Sequence, residues 1–277
     1  MGILNITPDS FSDGGRYDTI ESALIRAEQM LNEGAAIIDV GGESTRPQGT
    51  AYGTGATAVS ADEEIRRVIP IIEQISQHLS HALISVDTYK GEVARAALRA
   101  GAHIVNDVTG LRQGIGTARA AADFGAPLVV MHAVGKPGEM SHEHTHKDVV
   151  AEVVASLRKS LETAKEAGVK DVVIDPGFGF GKSVEDNLRL IAHVDRFVEV
   201  GSPVLIGISR KSSVGKVLGS ADAPTPVHDR LFGTLGLTAM AMMKGASIVR
   251  THDVKATVEM LGAIAAAQQA SRPECVS

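Results

Sequence analysis

The sequence predicts a closed α/β barrel, a (β/α)8 TIM barrel, as a single domain over residues 1–277. Three observations predict it. A length of 277 residues suits one such barrel. Short apolar runs alternate with longer helical patterns eight times along the chain. No linker, low-complexity block or break in composition interrupts the series. A doubly wound open sheet is the alternative that the same alternation allows.

The apolar runs lie at 2–6, 36–40, 82–87, 103–107, 128–132, 172–175, 204–208 and 247–251. Each is short and largely apolar, as a parallel strand buried on both faces requires. Helical patterns at 20–32, 60–75, 90–99, 113–124, 148–167, 184–198, 229–244 and 253–267 follow them in turn. In the first, Ala23, Ala27, Met30 and Leu31 fall on one side. Ser60 with Glu63 forms a capping-box pattern ahead of Ile65, Val68, Ile72 and Ile75. Glycine follows most of these helices, where a left-handed residue ends the last turn.

Composition excludes several classes. Lys+Arg is 27 against Asp+Glu 33, a formal net charge of -6, which disfavours nucleic acid as a partner. The lone cysteine, Cys275 in the C-terminal tail, permits neither an intrachain disulfide nor a thiolate metal cluster. No run of about 18 apolar residues is present, so no membrane span is expected. The start of the chain carries no basic, apolar signal segment, and a cytoplasmic location is expected.

In a barrel of this kind the site lies at the C-terminal ends of the strands. Polar residues concentrate there: Asn5, Asp39, Asp87, Asn106, Asp107, His132, Asp175, Lys211, Arg250 and His252. A buried charge is costly without a partner, so this convergence points to a polar pocket. Asp87, Asn106 and Asp175 suit a flat heterocycle rich in N–H donors. Lys211 can reach a ring carbonyl or nitrogen, and the planar guanidinium of Arg250 can stack on a ring opposite Phe180. Arg250 and His252, two apart in the last apolar run, share a face and suit a diphosphate. Asn5, Asp9 and Asp13 are hard oxygen ligands of the kind Mg²⁺ takes.

Other motifs fail their own patterns. The segment GFGFGKS at 177–183 lacks the first glycine of a P-loop, a position that Pro176 occupies. The histidines of HEHTH at 142–146 do not have the spacing of a helical zinc motif. No Gly-x-Ser-x-Gly elbow surrounds the serines near the strand ends.

Taken in order, seven segments resemble the dihydropteroate synthase family over essentially the whole chain. They are MGILNITPDSFSDGG (1–15), IDVGGESTRP (38–47), ISVDT (84–88), VND (105–107), DPGFGFGK (175–182), SRKS (209–212) and RTHD (250–253). The resemblance implies an enzyme that joins 6-hydroxymethyl-7,8-dihydropterin diphosphate to p-aminobenzoate and releases pyrophosphate. It assigns Asp87, Asn106, Asp175 and Lys211 to the pterin, with Phe180 and Arg250 stacking and Met131 lining the pocket. Asn5, Arg250 and His252 would engage the diphosphate, and Asn5 would also touch Mg²⁺. Phe11, Thr45, Arg46, Pro47, Lys211 and Ser212 would shape the aminobenzoate site. Asp9 and Asp13 would close the first loop over the metal, and Arg46 would act in catalysis. A homodimer through outer helices is the family's habit.

The chain departs from the family pattern in a longer segment around 48–58, in Ser213 where a larger apolar residue is usual, and in Thr251 in place of a common valine. The first two lie near the expected aminobenzoate pocket and lead us to expect altered sulfonamide affinity. Two rival readings remain at this point: a pterin-binding methyltransferase domain, and a catalytically silent pterin-binding module. Residues 7–15 and 209–211 argue against the first, and Asp9, Asp13, Thr45 and Arg46 against the second.

Overall fold

A computed structural model describes residues 1–6, 16–43, 59–135 and 146–270. Its strands are β1 (Gly2–Asn5), β2 (Ile37–Gly41), β3 (Leu83–Asp87), β4 (Ile104–Asp107), β5 (Leu128–Met131), β6 (Val172–Asp175), β7 (Leu205–Ile206) and β8 (Ile248–Val249). All pairings are parallel, β1 to β6 in sequence order and β7 with β8. Two single parallel bridges join these ladders, Ile174 to Val204 and Gly2 to Thr251. Each strand is thereby paired to the next and the last to the first, so the ring closes.

The helices are α1 (Arg16–Asn32), α2 (Ala61–His78), α3 (Gly91–Arg99), α4 (Gly116–Phe124), α5 (Val149–Glu166), α6 (Val184–Ala192), α7 (Val194–Val198), α8 (Ser212–Leu218), α9 (Leu231–Met243) and α10 (Val254–Ala270). Buried side chains of strands and helices form one apolar core. It includes Ile38, Val40, Ile84 and Val86 from the sheet and Ala27, Met30, Val68, Ile72 and Leu157 from the helices. Burying each such Val, Leu, Ile or Met side chain contributes roughly 1.5–3 kcal/mol. The glycines after α1, α3, α4, α5, α7 and α9 are all left-handed, as the sequence suggests.

Two expectations need correction, and one helix was not foreseen. The helix predicted over 184–198 is two, because His193 leaves helical geometry (φ -125°) between them; the break lets both Val194 and Phe197 turn into the core. The helix α8 is too short, and too interrupted by Gly215, to show a period in sequence. At Ser60 only half of the capping box forms: its hydroxyl accepts the Glu63 N–H at 3.3 Å, but the Glu63 carboxylate takes Arg66 at 2.6 Å and Arg67 at 2.9 Å.

Candidate active site

Parallel register lines up the first part of the site. Asn5 pairs with Gly41, Gly41 with Asp87, and Asp87 with Asn106, so one row crosses the ends of four adjacent strands. A side chain at Gly41 would lie in van der Waals contact with Asp87, its Cβ 3.4 Å from the Asp87 Cβ. Asp39, two residues before Gly41, is fully buried.

Arg250 ties the row together from the far end of the chain. Its Nε donates to Asp39 Oδ2 at 2.6 Å and its Nη2 to Asp87 Oδ2 at 2.7 Å. Asn106 Nδ2 donates to the same Asp39 oxygen at 3.0 Å. These bonds lie in the guanidinium plane, so they fix the cation while its flat faces keep the stacking geometry proposed for it. Burial pushes the Asp87 carboxyl up to about 7, against the pull of Arg250. Burial also lowers the affinity of Arg250 for its proton, but Asp39 and Asp87 outweigh it and hold the guanidinium above its ordinary value. Arg250 is therefore a permanent cation, and Asp87 is a carboxylate whose proton balance lies near neutrality.

The second part is built on the turn after β6. Asp175 ends the strand, and its Oδ1 accepts the Gly177 N–H at 2.7 Å. Gly177 is left-handed (φ 70°), and a Cβ there would meet the His132 carbonyl oxygen at 1.7 Å, so no other residue fits. The ammonium of Lys182, which is buried, donates to the carbonyls of Gly177 at 2.8 Å, Phe180 at 3.1 Å and His132 at 3.3 Å. Lys211 reaches the same turn from the other side: its ammonium bonds the Phe178 carbonyl and lies 4.2 Å from the centre of the Phe180 ring. Burial lowers both Lys182 and Lys211 to about 7, with Asp175 opposing the shift in each case. Burial raises the Asp175 carboxyl, opposed first by Lys211.

Lys211 is aimed by strain. Arg210 before it is a left-handed non-glycine residue (φ 58°), a conformation that costs about 1 kcal/mol or more. Its guanidinium is held by Asp253 at 2.9 Å, and its carbonyl accepts Arg230 at 2.9 Å. The two parts form one electrostatic unit, since Arg250 acts on both Asp175 and Lys211.

The structure thus gathers Asp87, Asn106 and Arg250 around Asp39, with Asn5 in the same row. It gathers Asp175, Phe180 and Lys211 at the β6 turn. Met131 is buried with Val108 and Ala133, and Phe180 packs on them. Ser212 is buried in the first turn of α8. The ladder of β8 ends at Val249, but strand-like pairing continues, with Arg250 N–H donating to the Ile206 carbonyl and Thr251 bridging Gly2. The backbone of His252 is fixed by its N–H, which donates to Ser209 Oγ at 3.1 Å, and by its carbonyl, which accepts Arg26 at 3.2 Å. Asp9, Phe11, Asp13, Thr45, Arg46 and Pro47 lie outside the described residues, as do Cys275, His142, His144 and the whole segment at 48–58. Ser213 is buried, with its hydroxyl accepting Asn187 Nδ2 at 3.1 Å.

Sequence reading gave no role to Asp39, Lys182 or Asn187. Asp39 had a signal, a charge inside an apolar run. Lys182 had one too, a lysine closing a glycine-rich turn. At the rim a further cluster went unnoticed: Lys90 bonds Glu43 and, at 2.5 Å, the buried Glu64, while Glu43 also accepts Tyr89 at 3.2 Å.

Comparison with known proteins agrees with this architecture. The model of a family described as pterin binding enzyme matches residues 1–252. The dihydropteroate synthase of Bacillus subtilis is 44% identical over 262 residues, 94% of this chain and 85% of the relative. A solved Xanthomonas albilineans dihydropteroate synthase with 4-aminobenzoic acid superposes with a TM-score of 0.87 at 44% identity, covering 99% of this chain and 93% of that one. The same enzyme in complex with 7,8-dihydropteroate superposes at 0.82 with 42% identity, covering 99% and 94%. With the ring of strands, the polar row at its mouth and these likenesses all in agreement, the chain belongs to the dihydropteroate synthase family of pterin-binding enzymes.

Proposed function

We infer that this protein condenses 6-hydroxymethyl-7,8-dihydropterin diphosphate with p-aminobenzoate to give 7,8-dihydropteroate and pyrophosphate, a step of folate biosynthesis. The observation that carries the reading is the convergence of Asp87, Asn106, Asp175, Lys211 and Arg250 at one end of the barrel. Carboxylates and an amide accept from the amino and ring N–H groups of a pterin. Lys211 donates to its carbonyl or ring nitrogen, and Phe180 and Arg250 cover its faces.

The reaction breaks the bond between the pterin methylene carbon and the diphosphate oxygen and forms one from that carbon to the arylamine nitrogen. Arg250 and His252 neutralise the charge that develops on the departing diphosphate. Asp87 opposes the positive charge shared between the methylene and the ring. The amine is weakly basic and attacks without a covalent enzyme intermediate. Phe11, Thr45, Arg46, Pro47 and Ser212, with Lys211, form the aminobenzoate pocket in this reading.

Mg²⁺ is the metal we assign. Asn5 fits it as a hard amide-oxygen ligand, half-buried in the same row as Asp87, and Asp9 and Asp13 are the further oxygen donors. When bound, the ion supplies charge neutralisation to the diphosphate.

We also infer a homodimer formed through α9 and α10. The helix α9 carries no charged residue, and Phe232 and Met243 on it are 83% and 71% exposed. A contiguous apolar face of this kind marks an interaction surface. Among the described residues no helix is long and apolar enough to cross a membrane.

The test is pteroate formation by purified protein from both substrates, with and without Mg²⁺. Product that requires both substrates supports the reading. Binding of the pterin without any product removes the synthase and leaves a binding module.

A further inference from the structure

Phe180 and Lys211 face each other across the site but come from different turns, one after β6 and one after β7. Something must fix the distance between the two turns. The side chain in the right place is Asn187, on α6, which is fully buried. Its Oδ1 accepts the Gly179 N–H at 2.6 Å. Its Nδ2 donates to the carbonyls of Ser183 at 2.8 Å and Lys182 at 3.2 Å, and to Ser213 Oγ at 3.1 Å. Gly179 lies inside the turn that carries Phe178 and Phe180. Ser213 lies in the first turn of α8, two residues after Lys211.

We propose that Asn187 is a positioning residue for the pterin site, cross-bracing the β6 and β7 turns so that the Lys211 ammonium is held over the Phe180 ring. The brace needs an amide. The oxygen must accept a backbone N–H on one side while the two N–H groups of the nitrogen are shared among three oxygens on the other. A carboxylate would set an acceptor against the Lys182 and Ser183 carbonyls, and an aliphatic side chain would leave Gly179 N–H buried and unpaired. Clearance adds to the case: a Cβ on Gly179 would stand 2.6 Å from Lys211 Cδ, so the two turns already touch where the brace holds them. Asn187 itself contacts neither reacting group.

The proposal rests on the pterin reading of Phe180 and Lys211, and the experiment separates the two. Wild type, Asn187→Asp and Ser213→Ala are compared in the affinity for 6-hydroxymethylpterin by titration calorimetry, in KM for each substrate, and in Tm. Ser213→Ala deletes only the link between the turns and leaves the amide, so it serves if Asn187→Asp fails to fold. Losing one neutral hydrogen bond corresponds to about a threefold to tenfold weakening, which we expect in the pterin Kd and in KM for the pterin substrate, measured well below Tm. A merely structural role would lower Tm and leave the pterin Kd of the folded protein unmoved. Pterin affinity within twofold of wild type for Ser213→Ala and for any folded Asn187→Asp overturns the brace. A wild-type protein that binds no pterin overturns the functional reading instead.

Discussion

Asp39 offers the sharpest test of how the site is held. Its Oδ2 accepts Arg250 Nε at 2.6 Å and Asn106 Nδ2 at 3.0 Å, in a position with no solvent access. Asp39→Ala leaves the guanidinium with Asp87 as its remaining hydrogen-bonded carboxylate and strips Asn106 of its acceptor. Removing one partner of a buried ion pair costs about 3–5 kcal/mol. At about 2–4 °C per kcal/mol for a chain of this size, Tm should fall by roughly 6–20 °C. The second consequence is functional. An Arg250 released from Asp39 turns wholly onto Asp87 and competes there with the pterin N–H donors. A pterin Kd at least about tenfold weaker follows, equivalent to about 1.4 kcal/mol. Asp39→Asn keeps an oxygen for Arg250 and should lose less of both. The assays are thermal unfolding and calorimetric titration with a hydroxymethylpterin. A Tm for Asp39→Ala unchanged within about 2 °C, well short of the ion-pair cost, together with unaltered pterin affinity, would refute the reasoning.

Further expectations concern protons, packing and assembly. Asp87 must be ionised to accept from the pterin, and it titrates at about 7, so pterin affinity should weaken as pH falls through that value; Asp87→Asn should flatten this dependence in a Kd-against-pH series. Because the folded value lies above the ordinary 3.8, protonation favours the folded chain, and the contribution of Asp87 to stability declines as pH climbs from near 4 to about 7 and is level above it. Lys182 runs the other way: burial lowers it to about 7, so the cost of its charge is present at and below neutrality and relieved between about 7 and its ordinary 10.5. Lys182→Met should flatten that rise in denaturant titrations at several pH values. It should also cost about 1–3 kcal/mol, since three carbonyls lose their donor. Phe232→Glu should shift the protein to the monomer in light scattering without loss of folding, and an unchanged mass would rule out α9 as the dimer face.

The barrel was legible because its signals are periodic and local. The strands between 2 and 175 are short, largely apolar runs, and six helices stop at left-handed glycines. Site residues that end strands, such as Asp87, Asn106 and Asp175, could be read because the fold dictates where a functional carboxylate should lie. Asp39 could be seen but not assigned: its role depends on Arg250, 211 residues away, and no local pattern reports that pairing. Asn187 gave no signal at all. An asparagine on a mixed-polarity helix reads as a solvated side chain until the turn folded over it is known. The short β7 and β8 could be counted but not bounded.

The long separations also say why the site and the ring are one construction. The last strand closes on the first through Gly2 and Thr251, and the residue just before Thr251 is Arg250. The same step that completes the backbone circle therefore carries the cation to Asp39 and Asp87, 211 and 163 residues earlier. A barrel formed without that step would hold two carboxylates in an apolar interior without their counter-charge, which is among the costliest arrangements a chain can hold. Closure thus relieves an electrostatic penalty while it assembles the pterin pocket. An Arg250→Met chain, with similar bulk and no charge, should consequently show its largest defect in the last stage of refolding, when β8 docks. If refolding kinetics and stability of that variant match wild type while pterin binding alone is lost, Arg250 serves the ligand only, and the coupling of closure to function is wrong.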